Sequence, residues 1–301
     1  MSPIQRRLLR WYRVHGRSAL PWRTLRDPYR TVISEFMLAQ TQVERVVPKF
    51  EAFVKRFSGF AALGRASRAD VLRQWRGLGY NSRAVRLHAL AGIVVDRFGG
   101  ALPTERGELQ SLPGIGEYTA AAIRAFGFNL DDAPLDTNVR RVVQRLFFGL
   151  EYPRGAPPAD VASRARELVP RGRGHDWSSA VMDLGAMICT ARAPKCMLCP
   201  LRVDCAAAPV DAARLEALRA AARRASPQPS LPFERTTRYA RGRIVDRLRE
   251  LPPGARISLL DLHRSIDVAP GRSIEEVREF VAALERDGLV THDGSNVGLR
   301  E

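Results

Sequence analysis

The chain of 301 residues is poor in lysine, in cysteine outside one short stretch, in alternating strand patterns and in long apolar runs. Each shortage excludes something. The only lysines are Lys49, Lys55 and Lys195, against 45 arginines. None lies in the glycine-rich stretch 105–128, so no amine is available there to form a Schiff base. No window approaches the roughly eighteen apolar residues of a membrane-spanning helix. The opening residues MSPIQRRLLRWYRVHG lack the apolar core of a signal peptide, and the expectation is a soluble intracellular protein. Strand-like alternation is nearly absent before residue 238, which makes that region all-α.

The hydrophobic content of 45% supports real cores, and the length allows two ordinary domains and a small third one. Net charge is +16, although an arginine excess alone can reflect a GC-rich genome. The distribution says more. Residues 1–238 carry 38 Lys+Arg against 21 Asp+Glu, whereas 239–301 carry 10 against 11. The basic character belongs to the first part, as a phosphate-binding surface requires.

That part is organised around Leu112–Asn138, LPGIGEYTAAAIRAFGFNLDDAPLDTN. Two segments of helical character, Glu105–Ser111 and Glu117–Phe128, flank Leu112-Pro-Gly-Ile-Gly. Gly114 and Gly116 permit turns closed to other residues and leave outward-facing amides at a helix N-terminus, a site for one phosphate. A plain turn between helices explains the same glycines.

Before it, residues 2–18 read as a helix with Ile4, Leu8, Leu9 and Trp11 on a buried stripe. Pro21 and Pro28 mark an irregular connector through LPWR and DPYR. Thr31–Phe57 is one or two amphipathic helices carrying Glu35 beside Phe36 and Met37. A carboxylate there is either an acid near a helix N-cap or one held in an apolar pocket. Gly77-Leu-Gly-Tyr-Asn81 suits close approach of backbone to a duplex with Tyr80 as a wedge, or a helix C-cap followed by a core tyrosine. Further helices follow at Val139–Leu150, Ala159–Leu168 and Trp177–Ile188.

Cys189, Cys196, Cys199 and Cys205 fall within seventeen residues, spaced C-x6-C-x2-C-x5-C. Disulfides do not suit a cytoplasmic chain of this size, and C-x2-C serves both zinc and iron–sulfur sites. Beyond them, residues 206–238 combine an Ala/Arg helix, Ala212–Arg224, with the turn-rich ASPQPSLPF. Residues 239–301 read as three helices and a hairpin turning at Asp293-Gly294, the order of a winged helix.

LPWR, DPYR, SEFMLAQTQV, GLGY, SRAVRLH, LPGIGEYTAAAI, LDTNVRRV, MDLGAMICT and the cysteine spacing together resemble the MutY adenine glycosylases of the helix-hairpin-helix, Gly-Pro-Asp superfamily, over residues 20–205. The resemblance implies a mainly α, two-lobed glycosylase fold with a [4Fe-4S] loop, followed by a small α+β winged-helix-like domain. Residues 1–26 and 133–208 would form the cluster domain and 27–132 a helical barrel; 209–238 would be a linker and 239–301 the winged-helix-like unit. The four cysteines would hold the cluster. Glu35 would be the general acid at the base and Asp136 the carboxylate facing the sugar, with Tyr118 and Asn138 lining the same pocket. Trp22, Arg23 and Asp183 would lie near the flipped base. Gln40, Thr41, Gly79, Tyr80, Asn81, Leu112, Gly114 and Gly116 would meet DNA. Tyr118 stands where bifunctional relatives carry lysine, which implies hydrolysis without strong lyase activity. The implied partner is double-stranded DNA with a damaged or mismatched pair, bound by a cytoplasmic, nucleoid-associated monomer.

Three departures bear on the opposite strand. Ala39-Gln40 stands where most members have two glutamines, Asn81 where most have a second tyrosine, and the usual 8-oxoguanine-reading C-terminal domain is replaced. Two alternatives follow: a thymine or uracil glycosylase acting opposite G, and a non-catalytic iron–sulfur DNA-binding protein. The near-neutral charge of 239–301 leaves that unit open to a protein partner.

Overall fold

A computed structural model describes residues 1–152, 155–225, 232–266 and 272–301. In chain order its helices are α1 (Pro3–His15), α2 (Pro28–Leu38), α3 (Val43–Arg56), α4 (Phe60–Arg65), α5 (Arg68–Gln74), α6 (Ser82–Phe98), α7 (Arg106–Gln110) and α8 (Glu117–Ala122). They continue as α9 (Thr137–Phe148), α10 (Pro158–Glu167), α11 (Gly174–Met187), α12 (Ala212–Ala225), α13 (Thr237–Arg249), α14 (Leu259–Ser265) and α15 (Ile274–Arg286). Of the turn-rich ASPQPSLPF, residues 226–231 lie outside the described residues.

Local chemistry sets most boundaries. Ser2 caps α1 in a reciprocal capping box with Gln5, with Pro3 at the first turn. The connector expected around Pro28 ends there instead, because proline opens α2. The carboxylate of Asp27 accepts the Tyr29 and Arg30 amides at 2.8 and 3.3 Å, and Pro28 has no amide to leave unpaired. Glu35 therefore sits in the second half of α2 and is not an N-cap acid. The single helix expected over Glu117–Phe128 is α8 followed by a π turn at Ile123–Gly127. A Cβ at Gly127 would lie 2.8 Å from the Pro28 Cα, so only glycine permits that approach.

The chain divides into two compact units, Met1–Val32 with Thr104–Ser111 and Ile115–Gln228, and Ile33–Pro103 with Leu112–Gly114 and Pro229–Glu301. In the first, Leu8, Leu9 and Tyr12 of α1 pack with Val139, Val142 and Leu146 of α9 and with Trp177, Val181 and Leu184 of α11. Buried Asp132 binds Arg106 of α7 at 2.6 Å and Arg124 of the π turn at 2.8 Å, tying the two arms of the glycine hairpin.

The second unit buries Phe50, Phe53, Phe57 and Trp75, the last two ring pairs meeting edge to face around Phe53. Its C-terminal part runs α13, β1 (Ile257–Ser258), α14, α15, β2 (Val290–His292), β3 (Asn296–Leu299). The strands form an antiparallel sheet ordered β1-β3-β2, with Ile257 opposite Val297 and Val290 opposite Leu299. This is the winged-helix order, and the hairpin turns at Gly294 with φ +93°. Strand β1 escapes sequence patterning because two residues cannot display a period.

Of the two hairpin glycines, only Gly114 needs to be one. It has φ +82°, and a Cβ there would meet the Phe36 ring at 2.9 Å; Gly116 has an ordinary φ of −92° and open space beside it. Gly114→Ala should cost on the order of 2 kcal/mol in denaturant unfolding, and Gly116→Ala less than about 0.5 kcal/mol. Equal losses would remove the distinction.

Candidate active site

Asp136 is the N-cap of α9. Its Oδ1 accepts the Val139 amide at 2.6 Å and its Oδ2 accepts Asn138 Nδ2 at 2.9 Å. Aspartate is a favoured cap, and a negative charge suits the positive end of a helix dipole. Asn138 is held in turn. Its Oδ1 accepts Arg141 Nη2 at 2.8 Å, and the same nitrogen donates to the Gly185 carbonyl at 2.6 Å. A Cβ at Gly185 would lie 2.8 Å from the Asn138 Cβ, so this glycine lets α11 pack directly on the start of α9.

The Arg141 Nε donates to the Cys189 carbonyl at 2.7 Å. One turn on, buried Arg145 donates to Thr190 O at 2.7 Å and approaches Cys189 Sγ at 3.4 Å. Burial pulls the Arg141 guanidinium below its ordinary range, and carbonyl acceptors offset that desolvation. Neither arginine was expected from the sequence. Their one-turn spacing on an otherwise apolar helix face was the available signal.

All four cysteines are half-buried free thiols. Burial pushes the Cys199 thiol up to about 11, and Cys189, Cys205 and Cys196 add repulsion, so the four sulfurs share one electrostatic neighbourhood. Yet among the described residues no three His, Cys, Asp or Glu side chains converge closely enough to hold a single ion. Four cysteine sulfurs in one loop are a donor set that fits a tetrathiolate metal ion or an iron–sulfur cluster.

Trp22 is buried, and Asp183 is fully buried against two arginines. Asp183 accepts Arg23 Nη1 at 2.7 Å, and the Arg17 amide and Nε both at 2.8 Å. Burial alone would raise its pKa; Arg23 and Arg17 outweigh it and hold the carboxyl below its ordinary value. Its stabilisation is therefore complete above the unfolded carboxyl range near pH 4 and is lost as pH falls through the lower folded value. Asp183→Asn should cost about 3 kcal/mol at pH 7, with the gap to the wild type closing in acid. Unfolding free energies measured across pH test this; a constant gap would contradict it. Tyr118 lies half-buried on α8 in the same unit.

In the second unit Glu35 is half-buried on α2. The end of that helix is gathered by Arg83, which sequence reasoning assigned no role. Its Nη1 donates to Phe36 O, Met37 O and Ala39 O at 2.6, 3.0 and 2.6 Å, and its Nη2 to Leu78 O and Gly79 O at 3.0 and 3.2 Å. Its Nη2 also reaches the Thr41 hydroxyl at 3.3 Å. Burial lowers this guanidinium to about 10. Arg83 thus fixes the 77–81 turn to the SEFMLAQTQ segment. Gly77 and Gly79 have φ of +86° and +69°. Tyr80 follows at φ +44° and 37% exposed, so it is not a core tyrosine. Gln40 and Asn81 lie beside the same turn.

Residues 33–171 match the model of the HhH-GPD superfamily base excision DNA repair proteins. The adenine DNA glycosylase of Mycolicibacterium smegmatis is 41% identical over 67% of this chain and 68% of its own length. The thymine-DNA glycosylase of Aeropyrum pernix is 34% identical over 68% of this chain and 94% of its own. The adenine DNA glycosylase of Buchnera aphidicola subsp. Baizongia pistaciae is 38% identical over 66% of this chain, which spans only 56% of that protein. Among solved structures, a thermostable thymine-DNA glycosylase aligns with TM-score 0.62 at 31% identity, over 67% of this chain and 94% of its own. An endonuclease III–DNA complex shares the fold, with TM-score 0.56 at 22% identity over 69% of this chain and 96% of that one. The chain belongs to the HhH-GPD superfamily of base excision DNA repair proteins.

Proposed function

We propose that the chain is a monofunctional DNA glycosylase that flips out adenine mispaired with 8-oxoguanine or G and hydrolyses its N-glycosidic bond. The observation that carries this reading is Asp136, a carboxylate oriented by the α9 amide and by Asn138 and placed after a Gly114 hairpin. Likeness to adenine DNA glycosylases at 41% identity supports the choice of base.

Hydrolysis needs an acid for the leaving base and an anion for the cationic sugar. Glu35 donates a proton to the adenine as the glycosidic electron pair leaves with the base. The ionised Asp136 stabilises the positive charge on the sugar. Water then adds at the anomeric carbon, returns a proton to Glu35 and leaves an abasic site. Tyr118 has no amine to trap that sugar, so the strand stays uncut. Extrusion of the base precedes all of this. Cys189, Cys196, Cys199 and Cys205 hold a [4Fe-4S] cluster, whose contribution is to order a loop exposing Arg192, Lys195 and Arg202 toward phosphates.

A second reading, removal of thymine or uracil opposite G, is favoured by the Aeropyrum pernix relative and the thymine-DNA glycosylase structure. Gln40, Thr41 and Gln42 favour adenine.

Glu35→Gln should reduce single-turnover adenine release by at least about 10²-fold while duplex affinity changes less than about three-fold. Unchanged release would remove Glu35 from the chemistry, and loss of binding alone would favour a non-catalytic DNA-binding protein. Analysis of the purified protein should return about four iron and four sulfide per chain. Stoichiometric zinc without sulfide would contradict the cluster assignment.

A further inference from the structure

Between Cys196 and Cys205 the chain makes two short turns, Cys196–Leu198 and Arg202–Asp204. Leu201, between them, belongs to the core of the first unit and is 2% exposed. Three neighbours do the opposite. Met197, Leu198 and Val203 are 72, 67 and 81% exposed, and no large apolar side chain among the described residues is more open than Val203. Apolar residues exposed singly are ordinary, whereas three within seven residues make a patch. None of the three serves base removal.

The charge around this patch has one sign. Arg192, Lys195 and Arg202 are exposed and have no carboxylate partner among the described residues. The one acid of the 189–205 loop, Asp204, is engaged by Arg7 of α1. On α12, Glu216 accepts Arg223 at 2.8 Å and Arg219 at 2.6 Å, and Arg223, Arg219 and Arg192 hold its carboxyl below the ordinary range. That helix therefore brings cations near the loop and no free carboxylate. The patch is also braced. The Lys195 amide donates to Ile188 O at 2.9 Å, the Cys199 amide to Cys196 O at 3.2 Å and the Ala206 amide to Leu146 O at 3.0 Å. A surface ordered beforehand loses little entropy when a partner arrives.

The phosphates of a duplex would use these cations and leave the apolar side chains without a role. A lipid surface takes up the long apolar face of an amphipathic helix, and these turns are three residues each. Methionine and arginine about an apolar centre have the composition of a protein interface. We propose that Met197, Leu198 and Val203 are the docking surface for a partner protein that presents an acidic segment bearing apolar anchors. The anchors cover the three side chains, and the carboxylates meet Arg192, Lys195 and Arg202. The inference goes beyond base removal and holds whichever base is excised.

The test selects a displayed library of random peptides, about 16 residues long, on the full chain, with counter-selection on Met197→Ser/Leu198→Ser/Val203→Ser. Selected peptides should combine Asp and Glu with Leu, Ile, Phe or Trp. Their binding, read by fluorescence anisotropy, should weaken about ten-fold on the triple variant. It should weaken about three-fold as NaCl rises from about 50 to about 300 mM. Duplex affinity of the triple variant should stay within about two-fold of the wild type. Should that variant lose iron or melt early, Val203→Ser alone, two residues from the nearest cysteine, replaces it with an expected loss of about four-fold. An empty selection, a basic consensus, or peptides indifferent to the variants overturn the surface. A comparable loss of affinity for duplex DNA, or for phosphatidylglycerol vesicles, assigns the three side chains to nucleic acid or lipid and overturns it equally.

Discussion

Asp136 is held by what lies behind it. A buried relay of hydrogen bonds runs from its carboxylate to Asn138, from Asn138 to the Arg141 guanidinium, and from there to the carbonyls of Gly185 and Cys189. A guanidinium this buried is costly unless its donors are met, and here backbone carbonyls meet them. The consequence is coupling. The carboxylate, the α9–α11 contact and the cysteine loop share one cation, so disorder in that loop would reach Asp136 through three hydrogen bonds. The cysteine loop is thereby tied structurally to Asp136.

The second unit uses the same device. Arg83 gathers carbonyls from the end of α2 and from the 77–81 turn. A helix C-terminus presents unpaired carbonyls and a partial negative charge, and a forked cation satisfies several at once. Lysine could not, having a single compact head. Glu35 lies on the helix so anchored and Tyr80 on the turn. A strained aromatic and a half-buried acid thus depend on one side chain for their backbone setting.

Much of the architecture was legible. Helical periodicity marked α1, α3, α9 and α11, and the cysteine spacing stood out because four thiols in seventeen residues is not random scatter. The winged-helix order was readable from three amphipathic runs and an Asp-Gly turn. What escaped was carried by long-range polar contact. Arg83 bonds residues more than forty positions away, and Asp132 gathers Arg106 from 26 positions back. Such contacts leave no period. Backbone conformation was also opaque: Gly114 and Gly116 look alike in sequence, yet only Gly114 has positive φ, and Tyr80 adopts a conformation its residue type disfavours. For the candidate site, the Asp-Thr-Asn ahead of a helix was visible, whereas the cap geometry and the arginines beneath it required the fold.

The central claim is that this fold removes a mispaired adenine by hydrolysis. It is tested most directly by single-turnover base release from duplexes presenting A opposite 8-oxoguanine, A opposite G, T opposite G and U opposite G, each divided into alkali-treated and untreated halves. The account predicts rapid release from the adenine duplexes only, with strands cut after alkali and intact without it. Release confined to T:G or U:G, or strand cutting without alkali, would contradict it.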